Sequence, residues 1–320
     1  MEREFGASGL RLPWLSLGLA ALGRPAYLTL GHGDDVTDSS VDGMRCLTFE
    51  VLDLAYDSGL RHLDTAHSYG LAEVFLSEWL RTRHLSDLSV TSKWGYTYVG
   101  GWRTGDHPQE IKELSWDTYR RQMPRSLDLL GGNLVGYQIH SATVESGVLD
   151  NTEILDAMAA LADRGLLIGI STSGPSQGDA VRQAVRLAEN GDVPFSFVQS
   201  TWNLFEPSVE DALLDAAAEG FGIIIKEALA NGRLVRGPFP EEVSRVAGKL
   251  GVGPDAVCIA AAASLPFRPV VLSGAVSTTQ LRSNLRAAEV TLGPGDWAAL
   301  RSLAQAPSRY WKDRAALPWT

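Results

Sequence analysis

Short apolar runs alternate with longer stretches of helical spacing along the whole chain. The segment Arg3 to Pro13 (REFGASGLRLP) holds the turn Gly6-Ala7-Ser8-Gly9 and predicts a small hairpin. The first apolar run, Leu15 to Leu19, follows it. Leu47 to Tyr56 reads as a helix ended by Gly59, His62 to Asp64 as a short strand and Ala72 to Leu80 as a helix. Leu88 to Ser92 is the next strand, and Ser115 to Leu130 the next helix, with Pro124 a candidate kink. Strands at Leu134 to Ile139, Leu167 to Ile170 and Phe195 to Gln199 are followed by helices at Glu153 to Asp163, Val181 to Glu189 and Val209 to Glu219. Phe221 to Ile225 precedes two helical stretches, Glu241 to Leu250 and Asp255 to Leu265. Val270 to Leu272 with Thr278 to Glu289 completes eight units. Parallel strands need crossovers, and helices of this length supply them. Eight units without a linker predict an α/β fold, a (β/α)8 TIM barrel with an N-terminal β-hairpin, over residues 1–320 as one domain. An open doubly wound sheet is the alternative.

Two loops are long, Gly23 to Met44 and Trp94 to Glu113, and each follows a strand, on the side where barrels build their sites. The second carries Trp94, Tyr96, Tyr98 and Trp102, costly to leave in water, so Trp94, Tyr96 and Trp102 are candidate walls of a small-molecule pocket. Residues 306–320 read as a polar C-terminal tail with Tyr310, Trp311 and Trp319. Of the 320 residues, 28 are Lys or Arg and 38 Asp or Glu, a net charge of −10. That balance argues against nucleic acid as a partner. Cys46 and Cys258 make no CxxC pattern and fit a reducing compartment. The opening MEREFGASGLRLPW is charged at once, and the most apolar stretch, Val257 to Leu265, is far shorter than the ~20 residues of a span. No membrane contact and a cytoplasmic location are therefore expected, while oligomeric state is not legible.

Four polar residues fall at or just beyond the ends of strands two, three and four: Asp64 and Tyr69 in LDTAHSYG, Lys93 in VTSKWGY and His140 in YQIHSAT. One barrel mouth would then present a carboxylate, an ammonium, an imidazole and a phenol. A phenol with a pKa near 10 is a poor acid unless its anion is stabilised. A neighbouring ammonium lowers that pKa, and a buried carboxylate keeps the ammonium charged and oriented. Tyr69 could then protonate a carbonyl oxygen while His140 hydrogen-bonds and positions it. Such a set lacks a hydride source, so a nicotinamide cofactor is required.

With these residues the chain resembles the aldo-keto reductases, NAD(P)H-dependent (β/α)8 oxidoreductases, from the hairpin to about Leu303. The strongest portions are LDTAHSYG, the SK of strand three, YQIH and SGAVSTTQLRSN. The resemblance implies Tyr69 as proton donor, Lys93 and Asp64 as the pair that tunes it, and His140 as orienter of the carbonyl. It also implies cofactor contacts. Ser171, Thr172 (where the family usually has Asn) and Gln199 would meet the carboxamide, and Trp202 would stack on the nicotinamide. Leu229, Asn231, Gly232 and Arg233 lie in the segment that closes over the pyrophosphate. Gly274, Ser277, Gln280 and Asn284 fall at the adenosine end, at a helix N-terminus suited to anions. The Lys and Arg common there are replaced by Gly274 and Gln280. NADPH remains the expected cofactor, with NADH the alternative, because a hydroxyl and free amides can bind phosphate.

Two decoys are set aside. Gly251 to Ala256 satisfies GxGxxA but follows a helix rather than a strand, with Pro254 suited to a first helical turn. His62 and His67 flank Asp64, yet the six histidines show no metal spacing, and no metal is expected. The expectation is reversible reduction of an aldehyde or ketone. The rival is a cofactor-sensing regulatory protein with little turnover, which steady-state kinetics would separate.

Overall fold

The computed structural model describes residues 2–105, 107–238 and 240–320. Asp106, in the second long loop, lies outside the described residues.

Strands β1 (Glu2–Glu4) and β2 (Arg11–Pro13) pair antiparallel as the expected hairpin. Eight strands follow that close into one barrel: β3 (Leu15–Gly18), β4 (His62–Asp64), β5 (Ser89–Trp94), β8 (Leu134–Ala142), β9 (Leu167–Thr172), β10 (Phe195–Thr201), β11 (Gly222–Lys226) and β12 (Val270–Ser273). Every barrel pairing is parallel, and β12 pairs with β3 to close the ring. The open-sheet alternative is thereby excluded. Between β5 and β8, β6 (Tyr96–Tyr98) and β7 (Glu110–Lys112) form a second small hairpin inside the aromatic loop.

Helices occupy the crossovers. They include α1 (His32–Asp35), α2 (Val41–Asp57), α3 (Ala72–Arg83), α4 (Trp116–Leu130), α5 (Thr152–Ala162), α6 (Gln177–Glu189), α7 (Glu210–Ala218), α8 (Glu241–Leu250) and α9 (Pro254–Ala263). After β12 come α10 (Thr278–Leu285), α11 (Pro294–Arg301) and α12 (Pro307–Ala315), so the polar tail folds in part as a helix. The starts follow capping chemistry. Ser40, Ser115, Asn151 and Ser277 each accept a backbone N–H of the first turn. Gly251 ends α8 in the left-handed region and Pro254 opens α9, so the GxGxxA sequence is a helix–helix turn. Among the described residues no single helix is long and apolar enough to cross a membrane.

Strand alternation divides the interior into two halves. At the N-terminal end Phe197, Ile224, Val270 and Leu272 meet Phe5 and Leu12 of the hairpin, which plugs the barrel, with Phe5 and Phe197 rings 5.6 Å apart. Gly136 and Gly169 make room for Phe197, since a Cβ on Gly169 would fall 2.7 Å from its ring. At the C-terminal end the inward positions turn polar.

Candidate active site

Strands β4, β5 and β8 each carry two inward polar side chains at spacing two: His62 and Asp64, Thr91 and Lys93, Gln138 and His140. Lys93 is completely buried. Its Nζ donates to Asp64 Oδ1 at 2.5 Å and to the Thr65 carbonyl at 2.8 Å. The other carboxylate oxygen, Asp64 Oδ2, accepts from Thr91 Oγ1 at 2.8 Å, Gln199 Nε2 at 2.9 Å and Gln138 Nε2 at 3.4 Å. Burial lowers the Lys93 pKa while Asp64 opposes the loss.

Tyr69 lies above this pair, its ring centre 5.0 Å from Lys93 Nζ and 5.6 Å from the His140 ring. The loop that carries it is fixed by backbone bonds, Tyr69 N–H to Ala66 O and Leu71 N–H to Gly23 O. Burial, then the charges of Asp64, Tyr27 and Glu110, push the phenol well above its ordinary pKa, against Arg24. This direction is opposite to the lowering expected from a neighbouring ammonium. Lys93 gives two of its three donors to Asp64 and Thr65, so the phenol faces an ammonium whose charge Asp64 largely balances rather than a free cation. Burial and four cations, Lys93, Lys226, Arg24 and Lys112, hold His140 well below the ordinary imidazole value. It is neutral at neutral pH, and its buried Nδ1 has no protein partner.

The mouth above Tyr69 is roofed by three segments. Arg24, from the loop after β3, is buried. Its guanidinium lies 5.6 Å from the Tyr69 ring centre, 5.5 Å from Tyr27 and 4.9 Å from Trp319 of the tail. Its Nη1 is 3.0 Å from Glu110 Oε1 on β7. Tyr96 of β6 approaches His140, with ring centres 4.7 Å apart.

The arrangement joins a phenol, a neutral imidazole and a buried ion pair at the C-terminal end of a parallel barrel. The family model described as "Aldo/keto reductase family" matches residues 44–305. The chain belongs to the aldo/keto reductase family. A Saccharomyces cerevisiae protein named as a probable aryl-alcohol dehydrogenase is 24% identical over 58% of this chain and 57% of its own length. The chain thus spans little more than half of that relative. A D-threo-aldose 1-dehydrogenase of a Pseudomonas species is 25% identical over 96% of this chain and 98% of its own. The holo structure of an aldo-keto reductase from Bacillus halodurans superimposes with a TM-score of 0.72 at 20% identity, covering 95% of this chain and 96% of that one.

Set against the aldo/keto reductase expectations, the cofactor residues divide. Asn231 Oδ1 and Arg233 Nη2, in the loop after β11, are buried polar atoms without partners, and a Cβ on Gly274 would meet nothing within 4 Å. The Arg233 guanidinium nitrogen, a buried donor without a partner, fits an anionic dinucleotide, whereas the Asn231 oxygen can only accept. Leu229 and Gly232 lie in the same loop, where Gly232 adopts φ 86°. Ser277 caps α10, while Gln280 accepts from Val276 N–H and donates to the Asp35 carboxylate at 2.8 Å, so the place expected for the adenosine has an acidic neighbour. Asn284 is turned inward between Ser273 and Asp255. Ser171 Oγ accepts the Ser141 N–H, Thr172 bonds Ser200, and Gln199 is committed to Asp64.

Three aromatic expectations are corrected or narrowed. Trp202 is buried in the core with Nε1 on Glu210 of α7, and its indole is a packing group. Trp94 follows Lys93 and so points out of the barrel, where it packs on Tyr119 of α4 at 5.2 Å. Trp102 bonds the Ser39 carbonyl and packs on Phe75, tying the two long loops together. Of the three pocket candidates only Tyr96 meets the tetrad. Sequence reasoning missed Thr91, Gln138, Arg24, Glu110, Tyr27 and Lys226. Lys226 ends β11, its Nζ on Thr201 Oγ1 at 2.7 Å, and burial draws its pKa down to about 8.

Proposed function

We propose that the chain reduces a small aldehyde or ketone reversibly with NAD(P)H, Tyr69 exchanging the proton at the carbonyl oxygen. The observation that carries this reading is the Lys93–Asp64 pair buried beneath Tyr69, with neutral His140 beside it. A bound nicotinamide supplies the hydride. Arg233 and the Gly274 region would hold its phosphates, and the Asn231 oxygen beside them would accept from a donor on the cofactor. Tyr69, neutral through the physiological range, gives its proton to the oxygen as negative charge develops there. His140, also neutral, donates one hydrogen bond to that oxygen and fixes its direction. Lys93 holds a compensating positive charge in the dry site, and Asp64 holds Lys93.

The rings of Tyr27, Tyr96 and Trp319, with the Arg24–Glu110 pair among them, support a substrate with an aromatic or hydroxylated body. That range agrees with relatives named for aryl alcohols and for an aldose. Tyr69→Phe keeps the ring and removes the proton. It is expected to cut carbonyl-dependent NAD(P)H oxidation at least ~100-fold while NAD(P)H affinity stays within about twofold. Unchanged turnover in Tyr69→Phe would remove the proposed acid. Tight cofactor binding without turnover on any carbonyl would instead support a sensor.

A further inference from the structure

We infer that Thr91 and His62 are positioning residues that hold the Asp64 carboxylate, and through it Lys93, in register beneath Tyr69; this rests on the function proposed above. His62 is completely buried inside the barrel, one inward position before Asp64 on β4. Its Nδ1 is 2.9 Å from Ser16 Oγ on β3, and its Nε2 is 3.1 Å from Thr91 Oγ1 on β5. Thr91 has one hydroxyl proton, and it goes to Asp64 Oδ2 at 2.8 Å. The contact between Thr91 and His62 must then be donated by the imidazole, so the proton sits on Nε2 and Nδ1 accepts from Ser16. A chain results in which each donor is fixed by the one before it: Ser16 to His62 to Thr91 to Asp64, with Lys93 donating from the other side. Burial holds His62 neutral, its pKa drawn down to about 4, as this chain requires.

A core without function would have no need of such a chain. Three adjacent strands place an inward hydroxyl, imidazole and hydroxyl where barrel interiors are usually filled by branched apolar side chains. The chain ends on the one carboxylate that pairs with Lys93. Hydrogen bonds in series polarise one another, so Thr91 is a stronger donor to Asp64 with His62 behind it. Each donor on Oδ2 compensates part of the negative field that Asp64 exerts on the phenol. The groups facing Tyr69 are Asp64, Lys93, His140, Arg24, Tyr27 and Glu110. Of these, the chain bonds Asp64 directly and meets Lys93 through it. Removing the Thr91 hydroxyl leaves the Asp64 field less compensated and makes the phenolate harder to form.

The test is the pH profile of alcohol oxidation, with Thr91→Val and Thr91→Ser compared to the native chain. Thr91→Val keeps the side-chain shape. It is expected to move the alkaline rising limb upward by ~0.5 pH unit or more and to lower kcat roughly tenfold, with NAD(P)H affinity unchanged. Thr91→Ser restores the limb. Ser16→Ala, at the far end, moves it in the same direction by less, and serves where Thr91→Val does not fold. A limb that stays in place in the folded Thr91→Val or Ser16→Ala protein overturns the inference, whatever happens to thermal stability. Tyr69→Phe separates the two readings. If it abolishes turnover while the limb ignores Thr91 and Ser16, the positioning inference alone fails, and if it leaves turnover intact, the proposed acid fails first.

Discussion

At the residue scale, the proposed reaction turns on which protonation state each group of the tetrad keeps. Tyr69 is held protonated by burial and by the carboxylates around it, and His140 is held neutral by burial among cations. A phenol that stays protonated is ready to act as an acid at any ordinary pH. The reverse reaction needs the phenolate, the form this environment disfavours. Initial rates of carbonyl reduction are therefore expected to stay flat through neutral pH, where neither group titrates. Alcohol oxidation should rise with pH and continue rising into the alkaline range. Initial-rate profiles in both directions check this, and an oxidation rate that levels off at neutral pH would mean a phenolate stabilised in some other way. The same residues show what a sequence can reveal about a site. Asp64, Lys93 and His140 were readable because strand ends can be located from apolar runs. Their inward partners His62, Thr91 and Gln138 were equally readable in principle, since each stands two positions earlier on its strand and so shares its face. The same period shows that Trp94, next to Lys93, must point outward. Alternation along β5 places Thr91 in the site and Trp94 outside the pocket.

At the scale of elements, position is set by how closely the loops approach one another. Strands and helices follow local patterning, and the eight barrel strands lie within a few residues of the apolar runs that announce them. The loops carry no such period. Arg24, Glu110 and Trp319 come from the first loop, the second hairpin and the tail, and no spacing relates them; only closure of the barrel brings them over Tyr69. The first loop reaches this place through Gly23. Its carbonyl accepts the Leu71 N–H at 2.7 Å, and a Cβ at this position would fall 2.0 Å from the Tyr69 carbonyl oxygen and 2.5 Å from the Ala72 Cβ. Two backbones meet here with no space between them. Gly23→Ala must push the first loop away from the Tyr69 turn. It is expected to cost about 1–3 kcal/mol of stability, as overpacking does, and to lower kcat more than it raises KM because the acid itself is displaced. Urea unfolding with steady-state kinetics on one preparation measures both. A stable, fully active variant would show that the contact between these backbones is not what places Tyr69.

At the scale of the whole molecule, the C-terminal segment joins parts of the barrel that the strands alone do not connect. Gln305 N–H bonds the Phe205 carbonyl, the Tyr310 hydroxyl accepts from Asn203 Nδ2, and Arg314 of α12 pairs with Glu227 at the end of β11 at 2.5 and 2.8 Å. Beyond α12 the chain crosses to the first loop, where Tyr27 and Thr320 exchange backbone hydrogen bonds. The Glu227–Arg314 pair therefore anchors the roof of the site. The Glu227 side chain is 9% exposed, and the residue holds φ 58°, a left-handed conformation disfavoured for a side chain with a Cβ. Arg314 and Lys226 outweigh its burial and draw the carboxyl from the ordinary 4.5 down to about 2. A carboxyl whose folded pKa is depressed stabilises the fold in full above its unfolded pKa. The contribution drains away as pH falls from 4.5 toward 2. A shift of that size corresponds to about 3 kcal/mol. Glu227→Gln leaves Arg314 without its counter-charge, and a loss of about 3–5 kcal/mol is expected at neutral pH. Lowering the pH toward 2 must then narrow the difference between the two proteins, because protonated Glu227 and Gln are nearly alike in charge and shape. Urea unfolding of both proteins at neutral pH and at points down to about pH 3 measures the gap. The gap should narrow through the acid window, whereas a constant gap would locate the effect of Gln in packing and remove the ion pair as the anchor of the roof.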